Sequence, residues 1–407
     1  MRRRVAGLAF GIDVAMTVLA ALAIGSIAYA GTVRALHPLA LALPAASPTS
    51  SPRTPAAPLP DKPPAGPIAN PPAGTPLLAL VDIDLTDFST GWILLTNCAS
   101  IASGACEYSV AGTLDAGVSW TKPIQVGPPF DRTDGDAPRT VRFLNHEDGF
   151  VYGHSSAYVT HDGGNTWAGA GLPATFIDTM AVGGQTAWVV SSPCGKGVTC
   201  QQEVRRSIDG GRSWLAAHAL PVGFYPEELV PFASGVMMSS VPLGDIQLTT
   251  DGGATWRSIK SQCTANPFRG TVATSDGIEL WQLCSGYPDT TSGTANKTLF
   301  VSEDGGVSWK QRASSLNGGV LQPSGYPIWF VSNRARVAFM SGAPTPLMTH
   351  DAGSTWAPVG LDGTGLWLIR FAGSYDGWAL EGTRNIWVTA DGGETWSMGG
   401  GLPTDVG

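Results

Sequence analysis

The chain has no basic stripe interleaved with aromatics, no CxxC pair, no Cys/His zinc spacing and no EF-hand spacing of oxygen ligands. The missing basic stripe argues against nucleic-acid binding. From residue 76 onward, 18 Lys and Arg face 30 Asp and Glu, an acidic balance that repels phosphate backbones and anionic headgroups. The missing ligand spacings argue against a zinc or calcium site, and no metal or cofactor is expected. Bulky apolar residues are scarce between residues 34 and 75, where Pro, Ala and Ser dominate, as in Ala45–Pro60 and Lys62–Pro76. Such a segment cannot build a core and reads as a disordered, partly polyproline linker.

What the chain does have is repetition. One octapeptide recurs seven times, running from Ser or Thr through Asp and Gly to Ser or Thr and Trp: Thr113–Trp120, Thr160–Trp167, Ser207–Trp214, Thr249–Trp256, Ser302–Trp309, Thr349–Trp356 and Thr389–Trp396. Its aspartates are Asp115, Asp162, Asp209, Asp251, Asp304, Asp351 and Asp391, at steps of 47, 47, 42, 53, 47 and 40 residues. That period, with short strands and Gly-rich turns, predicts an all-β, seven-bladed propeller over residues 76–407. In the octapeptide, Asp accepts from its own turn. Gly supplies an angle that other residues resist. Trp enters the next strand and buries a large apolar face. Seven aspartates spread round a ring cannot converge on one ligand, so they are expected to be structural.

A weaker repeat, a strand with a Gly-aromatic turn, precedes each octapeptide, as in Asp87–Trp92, Asp148–Phe150 and Asp376–Trp378. Together the repeats predict four strands per blade, in the last blade Leu366–Phe371, Gly377–Glu381, Asn385–Thr389 and Thr395–Met398. Closure of the ring stays open: Leu77–Leu85 serves either the first blade or the last.

The octapeptide is the Asp-box, or BNR, repeat, and the chain resembles Asp-box propellers over almost everything after residue 76. In repeat style it resembles the photosystem II assembly and stability factor family and its relatives in non-photosynthetic bacteria; Phe371, Asp376-Gly377-Trp378 and Thr389–Trp396 carry the likeness. That resemblance implies an exported binding or assembly factor. Sialidases are also built from Asp boxes, but their Phe-Arg-Ile-Pro motif is missing here. Arg142 and Arg370 occupy equivalent first-strand positions in blades 2 and 7, with Asp84 as a counterpart between them. The three point to an inter-blade ion cluster more than to a carboxylate clamp. The chain also resembles xyloglucan-cleaving glycosidases, which use two propellers where one is present here. A glycoside hydrolase is therefore the alternative to a binding module for a protein or glycan.

The strand order puts the octapeptides on one face and all six cysteines on the other. Cys98–Cys106, Cys194–Cys200 and Cys263–Cys284 are the expected disulfides, which implies an oxidising compartment. The longest loops share the cysteine face. The candidate ligand-binding residues there are Asp131, Arg132, Asp134 and Asp136 in one loop, Tyr225, Glu227 and Glu228 in a second, and Tyr287 in a third. No catalytic residue is assigned.

Arg2, Arg3 and Arg4 precede an apolar run from Val5 to Val33, and Val14–Gly31 is 18 residues without a charge. Residues 1–33 read as a transmembrane signal anchor or as a signal peptide cleaved after Ala28-Tyr29-Ala30. Both readings put the propeller outside the cytoplasm. The first tethers it to the membrane through the N-terminal helix alone, and the second secretes it.

Overall fold

The computed structural model describes residues 78–401, except 99–104, 132–135, 173–175, 193–200, 241–243, 264–268, 293, 317–320, 322–328, 342–344, 362–365 and 382–384. The expected N-terminal anchor (residues 1–33) and linker (residues 34–75) lie outside the described residues. So do Arg132, Asp134, Cys194, Cys200 and the side chain of Glu227.

Seven sheets are formed, each from consecutive antiparallel strands in chain order. Blade 1 is Ala79–Leu85, Gly91–Asn97, Ala105–Thr113 and Ile124–Gln125. Blade 2 is Thr140–Phe143, Gly149–Tyr152, Ala157–Thr160 and Ala168–Gly169. Blade 3 is Phe176–Gly183, Thr186–Ser192, Glu203–Ser207 and Leu215–Ala219. Blade 4 is Pro226–Phe232, Gly235–Ser240, Ile246–Thr249 and Arg257–Ile259. Blade 5 is Arg269–Ala273, Leu280–Ser285, Lys297–Ser302 and Lys310–Ser314. Blade 6 is Phe330–Arg334, Val337–Met340, Leu347–Thr349 and Ala357–Pro358. Blade 7 is Leu366–Phe371, Gly377–Glu381, Asn385–Thr389 and Ser397–Gly401.

Three strands of blade 7 match the expected bounds, and the fourth starts two residues later, at Ser397. Blade 1 carries an extra strand, Phe130–Asp131, paired with Ala105–Cys106. Ala79–Leu85 pairs with Gly91–Asn97 of its own blade, and among the described residues no strand is shared between the first and last blades.

Burial follows each strand's place in its blade. Second strands such as Gly235–Ser240 and Leu280–Ser285 are buried at every residue, because a neighbouring blade covers each face. This explains their unbroken apolar runs. Seven apolar clusters fill the seven seams between adjacent blades. The seam between blades 7 and 1 contains Ile83, Leu85, Ile93, Trp378 and Leu380.

The octapeptide is built the same way seven times. The first-position hydroxyl donates to Asp Oδ1 at 2.7–2.9 Å. That hydroxyl also accepts from the amide of the fifth residue. Asp Oδ1 accepts the amide of the seventh residue. Asp Oδ2 accepts that residue's hydroxyl at 2.5–2.7 Å. The turn needs two successive positive φ angles. Gly takes the fifth position throughout, while Ala116 and Ala352 hold the fourth at φ 58° and 60°. The octapeptide tryptophans are half-buried, each with an apolar face packed on a seam cluster; the fully buried tryptophans are Trp188, Trp281 and Trp378 of the second strands. Each octapeptide Trp lies at the seam with the preceding blade. Trp214 and Trp256, for example, meet Phe150 and Trp188 of that blade edge-on.

Candidate binding face

The cysteine face is stiffened by two disulfides among the described residues. Cys98–Cys106 joins the end of one strand to the start of the next in blade 1. Cys263–Cys284 ties the connection between blades 4 and 5 to the second strand of blade 5. Disulfides of this kind belong to an oxidising, non-cytoplasmic compartment. The added strand Phe130–Asp131 lies beside Cys106, and the Phe130 ring meets Tyr108 edge-on at 5.9 Å. The connection after blade 1 is thus paired back onto its blade at Phe130–Asp131.

The candidate residues stand at separate points of this face. Asp131 is in the added strand of blade 1. Asp136 accepts Ser156 Oγ on its carbonyl at 2.7 Å, which fastens the blade 1–2 connection to the turn after the second strand of blade 2. Tyr225 is 56% exposed, beside a turn closed by Phe224 N to Pro221 O and anchored by buried Phe224. Glu228 sits on the first strand of blade 4, opposite Ser239. Tyr287 is 67% exposed in the blade 5 loop that begins at the disulfide.

A polar chain that no sequence motif marks lies between blades 2 and 3 on the same face. His154 stacks on Phe176 at 4.9 Å. Its Nδ1 lies 3.2 Å from the Ile177 carbonyl, and its Nε2 lies 2.9 Å from Arg139 Nη1. A carbonyl only accepts, so Nδ1 carries the proton and Nε2 accepts from the guanidinium. Nearby, Gln202 Nε2 donates to Asp178 at 2.8 Å. Burial pushes the Asp178 carboxyl up, against the hydrogen bond from Gln202. Four segments far apart in sequence meet here, and no motif marks them.

The expected ion cluster is present, with one more member. Asp82 accepts from Arg142 at 2.6 Å and pairs with Arg370 at 3.2 Å; Arg370 also lies 3.7 Å from Asp84. Asp82 and Asp84 alternate on one strand and take the edge amides of Val141 and Phe143 at 3.1 and 2.7 Å. The two carboxylates therefore extend a ladder that blade 2 has no strand to complete. Burial pushes Asp84 up, and the two arginines oppose it. Burial works against the charge of Arg142, but Asp82 and Asp84 outweigh it and raise its pKa. With both guanidinium groups committed to partners, the cluster is a seam between blades 7, 1 and 2.

No protein-family profile matches the chain, and no curated protein does. Solved structures do. One is YCF48 bound to D1 peptide, at 16% identity over 78% of this chain and 94% of that one, with a TM-score of 0.53. Another is an ancestral GH74 enzyme, at 15% identity over 79% of this chain, with a TM-score of 0.50. This chain spans 44% of that enzyme's length. The likeness is one of fold.

Proposed function

We propose that residues 76–407 form an Asp-box propeller that binds a protein segment on its cysteine face. An N-terminal anchor (residues 1–33) and a Pro-rich linker (residues 34–75) hold it outside the cytoplasm. One observation carries the reading: Tyr225, Tyr287 and the 89% exposed Val222 project from loops of this face, which buried Phe224 and the Cys263–Cys284 disulfide anchor. Exposed aromatics on rigid supports are the usual anchors of a protein interface. The peptide held by the YCF48 propeller supports a protein ligand over a glycan. Asp131, Arg132, Asp134, Asp136, Glu227 and Glu228 are proposed as the polar rim.

The test is capture of cross-linked envelope proteins by the full-length chain and by Tyr225→Ala and Tyr287→Ala variants. Both variants should lose the captured protein, while Leu114→Ser and Val307→Ser on the octapeptide face should keep it. The reverse pattern would overturn the assignment of the face. Turnover of a β-glucan or sialyl substrate, abolished by replacing one carboxylate, would put the glycoside hydrolase reading in its place.

A further inference from the structure

The seven seams are not equivalent on the octapeptide face. At five of them the preceding blade donates a hydrogen bond to the carbonyl of the octapeptide's fourth residue. Trp92 Nε1 donates to Gly163 at 2.9 Å. Arg206 donates to Gly252, and Arg257 to Gly305. Asn333 and Arg334 donate to Gly392 at 3.2 and 2.9 Å, and the Gly400 amide donates to Ala116 at 3.2 Å. The seam between blades 5 and 6 is joined differently: buried Glu279 takes the Arg336 amide at 2.7 Å.

The seam between blades 2 and 3 has neither device. Gly210 is buried, and its carbonyl accepts no hydrogen bond among the described residues. Phe150 stands where blade 1 has Trp92, each one residue after the glycine that opens its second strand, and a phenyl ring has no N–H to give. A cavity of about 230 Å³ opens at this point, lined by Gly210, Asp148, Asp209, Gln185, Ile208 and Arg212 among others. It is smaller than the ~300–1,000 Å³ that encloses a drug-sized ligand, and so suits a single side chain.

The lining has three donor side chains, Asn145, Gln185 and Arg212, and none of them is bonded to the Gly210 carbonyl; Asn145 donates to Asp148 at 3.2 Å. Arg212 is turned to the Asp209 carbonyl at 2.8 Å and the Asp148 carboxylate at 3.2 Å, not to Gly210. Burial works against the charge of Asp148, but His161, Asn145 and Arg212 outweigh it and hold the carboxyl below the usual range. Asp209 is pulled down to about 2 by the Ser213 hydroxyl and amide. Asp148 thus meets Arg212 at 3.2 Å and His161 Nδ1 at 2.7 Å, while the Asp209 oxygens are taken by Ser207 and Ser213, and the Gly210 carbonyl is the acceptor left without a donor among the described residues. Ile208 is 63% exposed beside them.

We propose that this cavity receives the arginine side chain of a partner polypeptide, whose guanidinium donates to the Gly210 carbonyl and to the Asp148 carboxylate. The chain itself shows an arginine on the equivalent carbonyl: Arg334 places Nη1 on the Gly392 carbonyl at 2.9 Å and Nη2 on Glu394 at 2.7 Å; blade 3 carries Arg212 at the Glu394 position, which leaves Asp148 as the second acceptor. A planar fork reaches two acceptors at once, which an ammonium does less well. Ile208 offers apolar surface to the methylene stem. The site is on the face opposite the proposed Tyr225–Tyr287 surface and stands or falls independently of it.

The experiment is an NMR titration of the full-length protein with four probes: blocked Gly-Arg-Gly, its citrulline and lysine analogues, and agmatine. The arginine peptide should bind at least about tenfold tighter than the neutral citrulline peptide, as expected for a hydrogen bond to a charged group. It should also bind more tightly than the lysine peptide and agmatine. Phe150→Trp brings an indole N–H toward Gly210 and should block binding. Asp148→Asn keeps the shape, should weaken binding to a similar degree, and decides the matter if the tryptophan does not pack. Equal binding of arginine and citrulline peptides, or unchanged binding by Asp148→Asn, would overturn the site. Agmatine or lysine binding more tightly than the arginine peptide would overturn the ligand assignment.

Discussion

At the scale of single residues, the octapeptide divides its work between backbone angle and carboxylate. Gly211 has φ 90°, and a Cβ there would lie 2.5 Å from the Phe150 ring. Gly211→Ala should therefore destabilise the protein by about 2–4 kcal/mol in urea denaturation, combining left-handed strain with overpacking. Ala352→Gly should behave differently. Relief of strain is worth roughly 1–2 kcal/mol, but a buried methyl is lost and glycine adds chain entropy. The net change should be within about 1 kcal/mol of zero. The carboxylates predict an acid limb. The hydroxyl and amide of Ser213 and of Thr255 hold Asp209 and Asp251 at about 2. Their folded values are depressed, so the stabilisation is complete above pH ~4 and is lost as pH falls towards 2. The thermal midpoint should drop across that window, and Asp209→Asn should flatten the drop.

At the scale of elements, much was legible. The octapeptide gave the third strand, the turn and the start of the fourth, because its side chains make the turn's own hydrogen bonds. Arg142 and Arg370 could be placed together because equivalent strand positions meet across seams. Asp82 was legible in principle, since it is two residues from Asp84 and strand side chains repeat every second residue. The cluster of Arg139, His154, Asp178 and Gln202 was not legible: Asp178 stands on the first strand of blade 3, and the other three come from separate connections whose turns set the meeting point. Phe130–Asp131 escaped for the same reason, as a strand of two residues leaves no pattern. The disulfides make a prediction here. They close loops of 8 and 21 residues. Replacing either pair by serine should cost roughly 2–3 kcal/mol, with the Cys263–Cys284 pair at the upper end. Urea midpoints with and without reductant would check the order.

At the scale of the whole molecule, the ring closes with no strand shared among the described residues, so its last seam depends on side chains and on the Gly400 amide bonded to the Ala116 carbonyl. Asp82 serves Arg142, Arg370 and the Val141 amide together. Asp82→Ala should leave two half-buried guanidinium groups short of a partner and cost about 2–4 kcal/mol, somewhat under the range for breaking a fully buried pair. A matched change at an exposed pair such as Lys260–Asp245 should cost less than about 1 kcal/mol. Similar losses at both sites would mean that the ion cluster does not hold the seam.

That each sheet is finished by its own consecutive strands has a consequence for chain order. Nothing in the pairing requires blade 1 to be made first or blade 7 last. A circular permutant that opens in the connection before Pro226 and joins the old ends would still complete every sheet and every seam. The ring is modular in the genetic sense: its starting point is interchangeable, and what must be kept is the succession of neighbours.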